Sequence, residues 1–153
     1  MKYLRRYITA IGIFVVFDQL VKIIIYNFFY NVDISIIGNI IRFHQVINTN
    51  LRFGGNYFTL FRNFGFTVII NVIIIIFLIR SYSFYRSKKD VPAKIVNLIY
   101  ILVMSGSFCS LLDKIVWNGS LDLIQIPRLY IFDIKDIYIS IAQCIFISCC
   151  ETQ

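Results

Sequence analysis

The sequence predicts an all-α membrane protein with four transmembrane helices and a small extramembrane β-rich element between helices 1 and 2. Three observations lead there. Of 153 residues, 59% are hydrophobic and only 15% charged, and the mean hydropathy is +0.78, well beyond what the core of a soluble domain needs. The apolar residues fall in four runs of a length suited to a hydrocarbon layer about 30 Å thick. Basic residues sit between these runs and form no stripe interleaved with aromatics. The net charge of +7 therefore reads as membrane orientation and argues against nucleic acid as a partner.

By length the chain is a single membrane domain, residues 1–153. The first span, residues 7–29, follows the basic MKYLRR. A signal peptide has an apolar core of about 7–15 residues and then a small-residue cleavage site; this run is longer and lacks the site, so it is expected to persist as a helix. Asp18 and Lys22 interrupt it four positions apart, on one helix face, where they can pair. Such a pair either locks the bundle or belongs to a site.

Residues 30–63 are too polar and broken to cross a bilayer and form an outward loop. Within them VDISIIGNIIRFHQVIN reads as two short β-rich runs joined by a hairpin turn at Gly38-Asn39. The following loop, NTNLRFGGN at residues 48–56, is dense in Asn and Gly. Asparagine amides both donate and accept hydrogen bonds, which suits holding a peptide backbone or orienting a carboxyl group.

Residues 64–80 form the second span. The loop 81–94 that follows carries Arg86, Lys88, Lys89 and Lys94 against Asp90 and is expected in the cytoplasm. Two spans then put the N-terminal tail, with Lys2, Arg5 and Arg6, on that same side. The third span, residues 95–117, turns polar towards its outer end: Gly106, Ser110, Asp113 and Trp117 share one face. Small residues such as Gly106 and Ser107 permit close helix approach. Residues 118–129 form a second outward loop containing Asp122, and residues 130–150 the fourth span, with Asp133 and Asp136 in its first turns. Asp136, Ser140 and Gln143 lie on one face of that helix, and the chain ends in the cytoplasm.

Asp113, Asp122, Asp133 and Asp136, half of the eight acidic residues, lie within residues 106–136. Ionisable groups in or beside lipid are costly and mark functional sites. The single histidine, His44, rules out a Ser/His/Asp set. The four cysteines, Cys109, Cys144, Cys149 and Cys150, have neither metal-ligand spacing nor a disulfide framework, so no metal and no cofactor are expected. What remains is carboxylate chemistry. Two carboxyl groups sharing a site do not both ionise easily. The charged one can take a proton from an attacking water, while the protonated one polarises a peptide carbonyl and later donates to the leaving amine.

These residues resemble the lipoprotein signal peptidases (signal peptidase II) of bacteria, four-span aspartic peptidases of the inner membrane. The resemblance covers essentially the whole chain. FDQLVK at residues 17–22 is similar to the family's D-Q-x-x-K, NTNLRFG at 48–54 to N-x-G-x-x-F-G, and SGSFCSLLDK at 105–114 to G-G-x-x-G-N-x-x-D-R. LDLI at 121–124 resembles V-D-F, and FDIKD at 132–136 resembles F-N-x-A-D. The resemblance implies that Asp122 and Asp136 are the catalytic dyad and that Asn48, Asn50 and Ser110 border the substrate. It further implies that Asp18, Lys22, Asp113, Lys114 and Asp133 shape and support the site. The chain departs from the motifs at Asn50, Cys109, Ser110, Lys114, Asp133 and Lys135. Lys114 lacks the planar fork of the family's arginine, and Asp133 adds a third carboxylate beside the dyad.

The implied function is removal of the signal peptide from diacylglyceryl-modified prolipoproteins, near the outer face of the bacterial cytoplasmic membrane. The implied partners are those substrates and membrane lipids, and a monomer is favoured. Two alternatives belong to other classes. One is a catalytically silent relative that binds lipoprotein precursors or lipids, which the departures favour. The other is a small transporter or proton relay, against which stand the lack of an internal repeat and the placing of the acids at the outer edge.

Overall fold

The computed structural model describes residues 2–38, 40–48, 63–87, 92–127 and 129–151. Along them run α1 (Lys2–Phe28), β1 (Asp33–Ile37), β2 (Ile41–Asn48), α2 (Phe64–Ser87), α3 (Ala93–Trp117), β3 (Ser120–Ile126), β4 (Tyr130–Phe132) and α4 (Ile134–Glu151). Helix α3 is central and packs against α1, α2 and α4. The four strands form one antiparallel sheet in the order β1-β2-β3-β4.

Among the described residues, three helices are long and apolar enough to cross a membrane: Arg5–Phe28 within α1, all of α2 and all of α3. Their surfaces are the inverse of a soluble protein's. Ile13, Phe17, Leu20 and Ile24 of α1 and Ile69, Ile73, Ile76 and Phe77 of α2 are exposed, whereas Asp18, Lys22, Asp113 and Asp133 are fully buried at 0%. Aromatic pairs mark both ends. Tyr7 stacks edge-on with Tyr82 at 6.4 Å, and Tyr26 with Trp117 at 5.0 Å. Tyr7 and Tyr26 are 19 residues apart on one helix, which at about 1.5 Å per residue is roughly 28 Å, close to the hydrocarbon thickness.

The apolar core is small and joins three helices. Leu102 and Cys109 of α3 pack with Tyr138 and Ala142 of α4, and Phe14 and Val15 of α1 close over them. Gly106 sets the α3–α4 spacing. A Cβ there would lie 2.7 Å from Ile139 Cγ1 and 3.3 Å from the Lys135 carbonyl oxygen, so the expected close approach is made at this residue and is made with α4.

The β-rich element differs from expectation in one respect. It is not confined to the connection between the first two helices, because the connection between α3 and α4 supplies β3 and β4. The loop expected at 118–129 is therefore largely strand. Helix α3 ends at Asn118, whose left-handed φ of 51° turns the chain into β3. SLDLIQI then pairs along β2, with Asn48 opposite Ser120 and Val46 opposite Asp122. The expected hairpin between β1 and β2 is present, with Gly38 at φ +48° and the Ile40 N–H bonded to the Ile37 carbonyl at 2.9 Å; Asn39 lies outside the described residues. The Gln45 amide bonds to the Phe29 carbonyl and ties the sheet to the end of α1.

The fourth apolar run also divides. Tyr130–Phe132 pairs with β3 as β4, and α4 begins only at Ile134. With Lys135, Asp136 and Glu151 in 18 residues, α4 is not among the helices apolar enough to count as a span.

Candidate active site

Helical spacing delivers the first two charges. Asp18 and Lys22 face α3 from α1, and their Oδ2 and Nζ atoms are 2.9 Å apart. The expected pair therefore exists, but it is one edge of a larger network. Lys22 Nζ also lies 2.6 Å from Asp113 Oδ2 and 2.8 Å from Asp133 Oδ2. Lys135 Nζ reaches the same two oxygens at 2.8 and 2.5 Å. Three carboxylates from α1, α3 and the start of α4 are thus bridged by two ammonium groups, all buried. Removing such charges from water costs several kcal/mol each, about what their attraction returns, so the cluster specifies one arrangement more than it adds stability. Gln19 completes it, with Nε2 donating to Asp113 Oδ1 at 2.9 Å and to Asp18 Oδ2 at 3.0 Å while Oε1 accepts from Trp117 Nε1 at 3.4 Å.

Sheet pairing delivers the next group. The two-residue period of a strand puts Ser120 and Asp122 on one face of β3, and the Ser120 hydroxyl donates to Asp122 Oδ1 at 2.8 Å. Asn48, the last residue of β2 and not part of the loop expected to hold it, donates from Nδ2 to Asp122 Oδ2 at 3.1 Å. Each carboxylate oxygen of Asp122 therefore has its own donor. Burial pushes the Asp122 carboxyl above the ordinary aspartate range; the Lys135 ammonium and the bonds from Ser120 and Asn48 pull it back, and Asp133 adds to the upward push.

The turn into α4 delivers the last. The Asp133 N–H donates to Asp136 Oδ2 at 3.1 Å, and the Asp136 N–H donates to Asp133 Oδ1 at 3.3 Å. This is the reciprocal geometry of a capping box, with Asp at both positions. Asp133 is thereby both helix cap and cluster anion. Asp136 stands where the cluster meets an open groove of about 420 Å³ running along α4 past Ser140, Ile137, Ile141 and Ile145. Gln143 is exposed and does not line it.

Of the residues expected at the site, Asp18, Lys22, Asn48, Asp113, Asp122, Asp133 and Asp136 are joined by this chain of contacts. Lys114 is not in the ion cluster; its ammonium donates to the Ser110 hydroxyl one turn back at 3.2 Å. Asn50 lies outside the described residues. Ser120, Gln19 and the central place of Lys135 went unrecognised in the sequence, although Ser120 stands two residues before Asp122, the spacing that puts side chains on one face of a strand.

One contrast stands out among the described residues. Asp18, Asp113 and Asp133 all have an ammonium partner, whereas Asp122 and Asp136 form no ion pair. The charges acting on Asp136 include Asp133, Lys135 and Asp122 itself. No cluster of metal-ligating side chains occurs among the described residues.

Residues 10–150 match the sequence model of the family described as signal peptidase (SPase) II. A lipoprotein signal peptidase of Caldicellulosiruptor bescii is 27% identical over 125 residues, covering 82% of this chain and 77% of that protein. Two solved chains, both described as a bacterial membrane enzyme determined by the in meso method, share the fold at 20% identity. One, at 2.3 Å resolution, has a TM-score of 0.74 over 98% of this chain and 90% of its own. The other, at 1.9 Å, has a TM-score of 0.73 over 95% and 92%.

Proposed function

The chain belongs to the signal peptidase II family, and from that membership we propose that it is an aspartic endopeptidase that removes the signal peptide from diacylglyceryl-modified prolipoproteins, with Asp122 and Asp136 as its catalytic dyad. The observation that carries the assignment is the contrast just described. In a cluster of five aspartates, the lysines hold three, and the two without an ammonium are the two that the family motifs align with catalysis.

The chemistry follows from a pair of carboxyl groups with no ion-pair partner. Asp122 and Asp136 share one proton, because a second negative charge in the same low-dielectric space is costly. The ionised member takes a proton from water as the water oxygen bonds to the scissile carbonyl carbon, and the protonated member donates to the carbonyl oxygen. Collapse of the resulting gem-diol returns one hydroxyl proton to the aspartate that had protonated the carbonyl oxygen and breaks the C–N bond. The proton taken from water goes to the departing amine, and the new carboxyl end leaves with the signal peptide. The two apparent pKa values belong to the pair and not to either residue. Asn48 and Ser120 hold Asp122 in place, and the Asp133 cap holds Asp136.

The substrate's position follows from the surfaces. A signal peptide is itself an apolar helix, and the groove below Asp136 is lined largely by apolar side chains, Ile137, Ile141 and Ile145 with Tyr130 and Phe132, and is open along α4. In this reading α4 is the fourth span. Its 18 residues extend about 27 Å, and Ile137, Ile141, Phe146 and Ile147 are exposed along it. Basic residues in the α2–α3 connection and at the N-terminus support a cytoplasmic position for both termini. The sheet and the dyad then lie at the outer face of the cytoplasmic membrane.

The test is cleavage of a diacylglyceryl-modified prolipoprotein by the detergent-purified protein beside Asp122→Asn and Asp136→Asn. Cleavage by the wild type, lost in both variants, and a bell-shaped pH dependence are expected. A wild type that binds the lipidated precursor without cutting it would make the protein a silent relative. Full activity in either variant would refute the dyad.

A further inference from the structure

We infer that Lys135 is a positioning residue for both members of the dyad, acting on Asp122 through Ser120 and on Asp136 through Asp133. The inference rests on the reading of Asp122 and Asp136 as the acting pair.

The geometry is a branched path from one ammonium group. On one branch Lys135 Nζ donates to Ser120 Oγ, which donates on to Asp122 Oδ1 at 2.8 Å. On the other it donates to Asp133 Oδ2, while Asp133 Oδ1 and N–H are bound reciprocally to the backbone N–H and Oδ2 of Asp136. The third proton goes to Asp113 Oδ2 at 2.8 Å. The donors on an ammonium group number three, so all are committed. Donation from Lys135 has a directional consequence: it occupies a lone pair of Ser120 Oγ and leaves that hydroxyl's hydrogen for a carboxylate. Lys135 is buried, at 8% exposure.

Lys22 does not duplicate this role. It pairs with Asp18, Asp113 and Asp133, but among the described contacts it reaches neither Ser120 nor Asp122. Lys114 of α3 is bonded to Ser110. The charged groups facing Lys135 are Lys22 from α1, Asp113 and Lys114 from α3, Asp122 from β3, and Asp133 and Asp136 beside it.

The experiment compares Lys135→Met, Lys135→Arg and the double variant Lys135→Met/Asp133→Asn with the wild type. Each is measured for thermal stability in detergent and for kcat, KM and the pH profile of prolipoprotein cleavage. A misplaced dyad predicts that Lys135→Met lowers kcat by roughly 10- to 100-fold, changes KM by less than about twofold, and moves the acid limb of the profile to higher pH. Lys135→Arg keeps a cation and returns the limb towards the wild-type position. The double variant removes an anion together with the cation and keeps an Asn cap, so stability recovers while kcat stays low. If kcat and the acid limb also return in the double variant, Lys135 only balances Asp133 and the inference is wrong. A change confined to KM would likewise overturn it. Should the wild type not cleave at all, the functional reading has failed, and the inference is decided by carbon-13 titration of the Asp122 carboxyl. An upward move in Lys135→Met upholds it, and an unmoved titration overturns it.

Discussion

Asp133 and Asp136 close the first turn of α4 on each other, the backbone N–H of each bonded to the side chain of the other at 3.1 and 3.3 Å. The carboxyl group proposed for catalysis is thus half of a helix cap, and its rotamer is fixed by the backbone that carries it. Asp133 serves two purposes here that substitution can separate. Asp133→Asn keeps a good cap and removes the charge, whereas Asp133→Ala removes both. The alanine variant is expected to be less stable than the asparagine variant by about 1 kcal/mol, read as thermal midpoints in the same detergent. Equal midpoints would mean that the cap carries no weight.

The aspartate cluster makes Lys22 the residue whose loss costs most. It is fully buried and shared by three carboxylates. Lys22→Met would leave Lys135 alone to neutralise Asp113 and Asp133 and would leave Asp18 with no ammonium. Removing one partner of a buried pair typically costs about 3–5 kcal/mol. Loss of folded protein, or a fall in midpoint larger than for any single substitution on the lipid-facing side of α1, such as Leu20→Ala, is expected. A fall no larger than that of Leu20→Ala would show that the cluster is hydrated and weakly coupled.

How far the sequence revealed this site depended on whether the contact was local. Asp18 and Lys22 are one helical turn apart, so their pairing followed from spacing, and Asp113 and Trp117 followed from the face they share. Asn48 and Asp122 were expected in loops. Their contact needs β2 to pair with β3 between residues 74 positions apart in the chain, and nothing in either segment states its partner. The run at 130–150 read as one helix because Tyr130, Ile131 and Phe132 are as compatible with a membrane span as with a strand. The aspartate three residues before Asp136 was the available sign of a helix start there. Family resemblance ordered the motifs, but it did not assign Lys135 its place, since that position departs from the pattern.

Stability and activity are expected to oppose each other at Asp122. Burial raises its carboxyl above the ordinary range, with Lys135, Ser120 and Asn48 pulling against that rise. A carboxyl raised in the folded state binds more protons there than when unfolded. Its contribution to stability is full below the unfolded pKa and is lost as pH rises through the folded one. Asp122→Asn therefore removes a burden that is present only at higher pH. The variant should melt above the wild type at neutral pH, the difference should vanish in acid, and cleavage should be abolished. Thermal melts across pH check this, and a difference independent of pH would mean that Asp122 is not the group responsible.

The α3–α4 contact gives a steric test of how tightly Asp136 is placed. Gly106→Ala sets a methyl group 2.7 Å from Ile139 Cγ1 and 3.0 Å from its Cδ1, with the Lys135 carbonyl at 3.3 Å behind. The Ile139 side chain can be shortened, but the carbonyl belongs to the helix backbone. Gly106→Ala is expected to cost about 1–3 kcal/mol, as overpacking does, and to displace the start of α4, where Lys135, Asp136 and the capping box all lie. Cleavage should fall more than stability alone explains, because a small misplacement of reacting groups is amplified in rate. Adding Ile139→Ala removes both close contacts and should restore most of the stability. Since the methyl group still meets the Lys135 carbonyl, activity should recover less completely than the midpoint. Full recovery of both would place the whole effect in the Ile139 side chain and none in the position of α4.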